Sequence, residues 1–343
     1  MSVLNNTIAM GAETSYGSQA TPTQPYEATG DDWQTVTEQI SNDGFRRVRD
    51  AILSSRVRTV VQGATGSIPH AFLTEGELLA LQAAFPTVGA RTSNAYTCST
   101  KGDGSNPRSY TVQVNRSTGS GTQAFTYVGC VVTSWEFSIE IGGALMFTPT
   151  FDGGRAGVTN IAYTDPTSLY EEGSVPYYWN DIKLQIDNTD VAYLNSFSLS
   201  ADLGYNTDRR FLHNTHVKSQ PIRSSTPEYT GEISGEFINT DEYANYHAGT
   251  LVSLKLVGFS SREVSTGVDS KIEIELPKVL YTGGTVTASL SDLTSITLPF
   301  MALADDETTA ASQATAVKVT YTTKEGASNV DEPAPKPKKA KTS

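Results

Sequence analysis

The chain has 343 residues, with 37 Asp and Glu against 25 Lys and Arg and a formal net charge of −12. That balance closes the counterion-release route to tight DNA or RNA binding, although an acidic surface is also the ordinary state of a soluble protein. A hydrophobic content of 38% with 16 Tyr and 12 Phe favours strands and turns over helices, and the length allows two separate cores.

Residues 1–26 read as a polar, Pro- and Gly-containing arm, too poor in apolar residues to fold alone; it either stays mobile or lies on something else. It shows no basic region followed by an apolar run, so no signal peptide is expected. No apolar stretch in the chain approaches the roughly 20 residues of a membrane span, and no membrane insertion is expected. Cys98 and Cys130 are too few for a disulfide framework and fit a reducing cytoplasm; Cys130 is expected in a core.

A first module is expected over residues 27–155. "TGSIPHAFLTE" (Thr65 to Glu75) is strand-like and leads to a short helix. Thr74 and Glu77 have capping-box spacing there, and Leu78, Leu81 and Phe85 mark the buried stripe. "YVGCVVTSWEFSIEIGGALMFTPTF" (Tyr127 to Phe151) has the period-2 pattern of a hairpin about Gly142-Gly143. Val131, Trp135, Phe137, Ile139 and Ile141 are expected on one face, with Ser134, Glu136, Ser138 and Glu140 on the other. Beyond the glycines, Leu145, Phe147 and Phe151 alternate with Met146, Thr148 and Thr150.

Residues 156–176 form a connector without periodicity. A second module follows over residues 177–325, and it echoes the first. "TGEISGEFINTD" (Thr230 to Asp241) matches the Thr65 segment with one added residue. Thr240 is placed to cap a second helix, with Asp241 and Glu242 in its first turn and Tyr243 and Tyr246 on its apolar side. "FRRV" at Phe45 recurs as "DRRF" at Asp208, "SYTVQV" at Ser109 as "KIEIEL" at Lys271, "YVGC" at Tyr127 as "YTGG" at Tyr281, and "TPTF" ending at Phe151 as "TLPF" ending at Phe300. Each echo is weak alone, but their common order points to a duplicated unit of strands, helix and strands ending near residue 303. The alignment drifts inside the second hairpin: superposing the Tyr-x-Gly elements shifts the apolar face by one position, so a bulge or indel is expected nearby. In the second hairpin the matching polar face carries Thr287, Ser289 and Ser291. Residues 326–343, rich in Pro and Lys, are expected to be disordered in isolation.

Nothing in the chain points to an enzyme, and no catalytic group, metal or cofactor is expected. His213 and His216 have a ligand-like spacing, but no carboxylate or cysteine arrangement completes a site, and solvated loop histidines are the simpler reading. "KGDGSN" (Lys101 to Asn106) lacks the bidentate acid of a calcium loop, and "STGSGT" (Ser117 to Thr122) has no helix after it. What remains is structural chemistry: long alternating hairpins leave backbone edges that must be closed, covered or paired with another subunit.

"GAETSYGSQATPT", "FTYVGCVVTSWEFSIEIGG", "LNSFSLSADLGYNTDRRFL", "YTGEISGEF" and "LPKVLYTGG…LTSITLPFMAL" together resemble the tail tube proteins of long-tailed bacteriophages, over nearly the whole chain to about Tyr321. The resemblance implies a mainly β fold of two tandem β-sandwich or β-barrel modules, each with a short flanking helix and long hairpins that join a ring barrel between subunits. It implies a virion component, assembled in the host cytoplasm, whose rings stack into a tube. The tube houses a tape measure protein, later passes double-stranded DNA without binding it specifically, and meets tail terminator and tail tip or baseplate proteins at its ends. Since such tubes have six modules per ring, three chains could form a pseudo-sixfold ring.

On that reading Glu136, Ser138 and Glu140, with Thr287, Ser289 and Ser291, face the lumen; the other reading leaves the glutamates in bulk water outside. Arg46-Arg47 and Arg209-Arg210, at equivalent places in both modules, are candidates for salt bridges between subunits, or solvated pairs worth about 0–1 kcal/mol each. A tail hub, a tube-capping ring, or a carbohydrate-binding or carbohydrate-active β-sandwich are the alternatives.

Overall fold

A computed structural model describes residues 6–41, 54–102, 106–118, 121–157, 165, 170, 173–212, 217–289, 292–306 and 314–325. Arg46, Arg47, His213, His216, Ser291 and the 326–343 tail lie outside the described residues. The fold is mainly β, and the described residues include two short α-helices, α1 (Leu78–Ala84) and α2 (Asp241–Ala248).

One antiparallel sheet runs through both halves of the chain. Its spatial order is Gln34–Ser41, Val57–Ser67, Met146–Gly153, Gly121–Glu140, Leu194–Asp202, Glu228–Glu236, Asp292–Leu303 and Thr285–Ser289. The halves meet where Gly121–Glu140 pairs with Leu194–Asp202, and seven consecutive residue pairs from Ser196↔Glu140 to Asp202↔Ser134 form that junction. Alternation sends Trp135, Phe137, Ile139, Phe147, Phe151, Phe197, Leu199, Ile233, Leu298 and Phe300 to the buried side. There the aromatic rings pack directly: Phe137 stacks on Phe147 at 4.4 Å, and Phe85, just past α1, lies 5.1 Å from Trp135. Fully burying one such side chain stabilises the fold by about 1.5–3 kcal/mol.

Further strands make the layer behind this core. Thr7–Ala12 pairs with Tyr110–Thr118, which pairs with the first part of Gly121–Glu140. In the second half, Ile182–Ile186 pairs with Val252–Ser265, which pairs with Val268–Tyr281. Lys318–Thr322 lies between Val268–Tyr281 and Ala95–Ser99, so the last described strand stitches the halves together.

Of the arm, the described residues 6–26 therefore lie on the sheet. Ile8, Ala9 and Met10 are buried, and Glu13 is enclosed by donors: Ser109 Oγ, Thr111 Oγ1 and the amides of Gly17 and Gly129, all within 2.8–2.9 Å. Tyr16 explains the glycine of "YVGC". Gly129 has φ +71°, and a Cβ there would sit 3.2 Å from the Tyr16 ring.

The expected hairpin is present, but its faces change over partway. Ser134 opposes Thr150 whereas Val132 opposes Phe151, so Thr133 is an extra, bulged residue. Val132, not Val131, thus shares the core face with Trp135, and Val131 opposes Asp152. Ile141 lies beyond the strand end and is 62% exposed, so it is not on the core face either. The capping box also fails to form. Thr74 Oγ1 accepts from the Val175 amide, and the Glu77 carboxylate is taken by the Leu73 amide and His70. Leu78, at the start of α1, instead donates its amide to Glu325. Thr240 does occupy the N-cap position of α2, without a side-chain cap bond, and Glu242 accepts from Tyr281 Oη at 2.9 Å.

Candidate functional site

The side of the sheet that faces away from the core is polar from one half of the chain to the other. Directly opposed residues share a face, so the pairings trace rows across the strands. One row is Thr148, Glu136, Ser200 and Thr230; the next is Met146, Ser138, Ser198 and Glu232. A third runs Glu140, Ser196, Ser234, Thr297 and Thr285, and a fourth Glu236, Ser295 and Thr287. Glu136 and Glu140 are exposed, Ser138 is half-buried, and Thr287 is exposed on this same face. Ser289 pairs with Asp292 at the end of its strand.

No Lys, Arg or His occurs in any of the six strands Gly121–Glu140, Met146–Gly153, Leu194–Asp202, Glu228–Glu236, Asp292–Leu303 and Thr285–Ser289. Their exposed carboxylates include Glu136, Glu140, Asp202, Glu228, Glu232 and Glu236. The strands themselves thus supply acid without base, spaced by small hydroxyl side chains. Ser196 and Ser234 hydrogen-bond across neighbouring strands, Ser234 Oγ donates to Asn195 Oδ1 at 3.0 Å, and Ser200 Oγ donates to the Thr230 carbonyl at 3.2 Å.

Glu228, Glu232 and Glu236 were not among the residues expected on this face. The alternation of "EYTGEISGE" carries the signal, with Tyr229 and Ile233 pointing to the core between the acids. The segment draws notice first as an echo of "TGSIPHAF", where Ser67 stands in place of Glu232, and that hides its charge.

The arginine pair of the second half is engaged within the chain. Arg209 donates to the Gln220 carbonyl and lies over the Phe211 ring, 5.6 Å from its centroid. Arg210 Nε donates to Asp208 Oδ1 at 2.8 Å. The same stretch crosses onto the first half. Val217 bridges to Gln62, Lys218 forms a largely buried ion pair with Asp152, and Gln220 donates to the Pro107 carbonyl at 2.7 Å. Burial raises the Asp152 carboxyl above its ordinary range, with Lys218 pulling the other way.

Both outer edges of the sheet are open. Gln34–Ser41 is exposed along its whole length and pairs only with Val57–Ser67; Thr285–Ser289 pairs only with Asp292–Leu303, among the described residues. Also among the described residues, no three His, Cys, Asp or Glu side chains cluster as a metal site, and no helix is long and apolar enough to cross a membrane.

Residues 4–279 match the family model described as "Phage tail tube protein". No curated protein matches the chain.

Proposed function

As the chain belongs to the phage tail tube protein family, a structural, tube-forming component of the virion, we propose that it assembles into stacked rings whose lumen is lined by the acidic sheet face. The observation that carries this reading is the polar face of six strands, contributed by both halves, whose own sequences include exposed carboxylates and no Lys, Arg or His. A wall of that kind suits a conduit for double-stranded DNA: cationic side chains would hold phosphates at each step, whereas carboxylates repel them. Before DNA passes, the same lumen houses the tape measure protein, and the ends of the tube meet terminator and tail tip proteins. Assembly takes place in the host cytoplasm.

The chain is a fused pair of tube modules, residues 27–155 and 177–325. Support for the duplication comes from pairing order: the arm strand Thr7–Ala12, then Tyr110–Thr118 and Gly121–Glu140, are neighbours in the first half, as Ile182–Ile186, Val252–Ser265 and Val268–Tyr281 are in the second. That order sets Tyr110–Thr118 against Val252–Ser265 rather than against the Lys271 segment of the echo. Three chains then supply six modules to a ring; a measured ring mass of six chains would remove that count.

The test of the lumen is charge reversal. Glu136→Lys, Glu140→Lys and Glu232→Lys together alter exposed side chains, so tubes still assemble by electron microscopy while DNA delivery into host cells falls. Normal tubes with unchanged infectivity would reject the lumen assignment. Arg209 and Arg210 act at the junction between modules of one chain, and Arg46 and Arg47 are their proposed counterparts between chains.

A further inference from the structure

The junction inside the chain specifies how two chains meet. At that junction the outer strand of the first half, Gly121–Glu140, pairs with the first wall strand of the second half, Leu194–Asp202. The corresponding outer strand of the second half is Thr285–Ser289, and its far edge is unpaired among the described residues. The corresponding first wall strand of the first half is the segment that leads into Gln34–Ser41, and its far edge is unpaired as well. A single chain thus presents the two complementary sides of one junction at opposite ends of its sheet, which is the geometry of a head-to-tail ring.

The pairings also set the register. Thr65 opposes Gln34 in the first half, and its counterpart Thr230 opposes Ser200 in the second, so Gln34 occupies the place of Ser200. Thr148 opposes Glu136, and its counterpart Thr297 opposes Thr285, so Thr285 occupies the place of Glu136. An independent pair agrees: Ala28 bridges His70 where Leu194 opposes Gly235. Since Glu136 opposes Ser200 across the internal junction, we infer that Thr285 of one chain opposes Gln34 of the next, and Thr287 opposes Asp32.

The receiving segment is built to wait for that partner. Residues 29–33 form no ladder of their own. Side chains hold them instead: Asp32 accepts from the Ser67 amide and hydroxyl, Asp31 takes both Nε and Nη2 of Arg116, and Trp33 Nε1 donates to the Ser67 carbonyl. Trp33 is packed so closely on Gly66 that a Cβ there would fall 2.3 Å from the ring. The segment is fixed against the Val57–Ser67 strand, and the Trp33 carbonyl also accepts from Arg116 Nη2 at 2.6 Å, so little ordering remains to oppose docking. Thr285–Ala288, the donor, is exposed at each residue.

This inference rests on the tube reading, and one experiment separates the two. Full-length Gln34→Cys/Thr285→Cys protein is assembled, viewed by electron microscopy, oxidised and run on denaturing gels; Cys98 and Cys130 are fully buried and do not compete. The expected result is a disulfide-linked ladder that stops at one ring, at least tenfold more abundant than for the offset pair Gln34→Cys/Ser289→Cys, and absent from each single variant. Tubes in which the offset pair links preferentially, or neither pair links, overturn the register or the choice of edges and leave the tube reading intact. Dimers from a single variant overturn head-to-tail joining. Wild-type protein that never forms tubes overturns the tube reading itself. Hydrogen exchange on the unmodified chain decides the case in which the cysteines block assembly: amides of residues 285–289 and 30–36 slow on tube formation, and unchanged exchange there rejects the pairing.

Discussion

The two hairpins of the wall start from the same alternation and end differently. In the first half, Gly121–Glu140 is one unbroken strand, paired along one edge with Met146–Gly153 and along the other with Leu194–Asp202. In the second half the equivalent strand stops at Tyr281 and resumes at Thr285. The break holds Gly283 and Gly284, where a Cβ would come within 3.0 Å of Pro299 and 2.8 Å of Tyr246. Among the described residues the short continuation is paired on one side only, and it carries Thr285 where the first hairpin has Glu136. The core face is therefore maintained in both, while edge and charge diverge. An edge is sealed when the chain goes on to supply the next strand, as the second half does for the first. No described residue does so for Thr285–Ser289, which is the edge proposed to meet a neighbouring copy.

Core truncation should separate the hairpins most. Phe137→Ala removes a fully buried ring stacked on Phe147 and is expected to cost about 3–5 kcal/mol in denaturant unfolding of unassembled protein. Val286→Ala, on the exposed edge strand, should stay within about 0.5 kcal/mol. Equal losses would mean that the second edge is already covered in the single chain.

A pH-dependent pin distinguishes the halves in a second way. His70 is buried with both ring nitrogens against acceptors, Nδ1 at 2.7 Å from the Ile68 carbonyl and Nε2 at 2.9 Å from Glu77. The equivalent residue in the second half is Gly235. Burial alone would lower the His70 pKa; the charge and hydrogen bond of Glu77 and the Ile68 carbonyl outweigh it, and the net direction is up. Tyr26 and Phe147 face the ring from the neighbouring elements. A folded pKa above the unfolded one means the stabilisation is complete below about pH 6.5 and fades as pH rises through the folded value. The wild-type melting temperature should accordingly contain a component that declines with rising pH. His70→Ala should lack that component and lose about 3–5 kcal/mol at low pH, because Glu77 is left buried without its partner. Parallel melting curves for both proteins from pH 6 to 9 would show that His70 is neutral in the fold.

Glycine at a close approach gives the next effect down. A Cβ on Gly231 would lie 2.4 Å from Phe300 and 2.2 Å from the Ser198 carbonyl, so Gly231→Ala should cost about 1–3 kcal/mol by denaturant titration. Gly143→Ala, whose nearest contact is the Glu140 carbonyl at 3.4 Å, should cost less. A smaller loss at Gly231 would indicate that the junction strand can move away from its neighbour.

Much of this architecture is legible in residue order, and the reasons for the rest are physical. Alternation and turn glycines identify the first hairpin, and the repeated Thr-Gly and Tyr-x-Gly elements point to related halves. The Thr133 bulge is not legible, because Val131 and Val132 satisfy either face equally and only the partner strand decides between them. The pairing of Lys318–Thr322 with Ala95–Ser99 joins segments over two hundred residues apart with no local signature. Glu77 has the spacing of a cap, but His70, seven residues earlier, is the stronger competitor for its carboxylate, since a buried imidazole without a partner costs more than an uncapped helix end. The acidic face was half visible: Glu136 and Glu140 stand out against their aromatic neighbours, while Glu232 and Glu236 sit in a repeat whose other copy is neutral.

The smallest effect concerns charge alone and tests whether the two hairpin faces are interchangeable. Glu136 is exposed, and its cross-strand neighbours are Thr148 and Ser200, so no cation is lost and no directly opposed carboxylate relieved by Glu136→Gln. Thr287→Glu places a carboxylate opposite Ser295, again without a charged cross-strand partner. Each should change the stability of the unassembled chain by no more than about 0.5 kcal/mol. In assembled tubes the two changes should part, because in the proposed lumen carboxylates would lie near one another in water-filled space screened over about 8–10 Å. Glu136→Gln should make tube stability less dependent on salt, and Thr287→Glu more so. Tubes of both variants melting alike at low and high salt would put these side chains on an outer surface, and the glutamates would then be solvating groups rather than the lining of a channel.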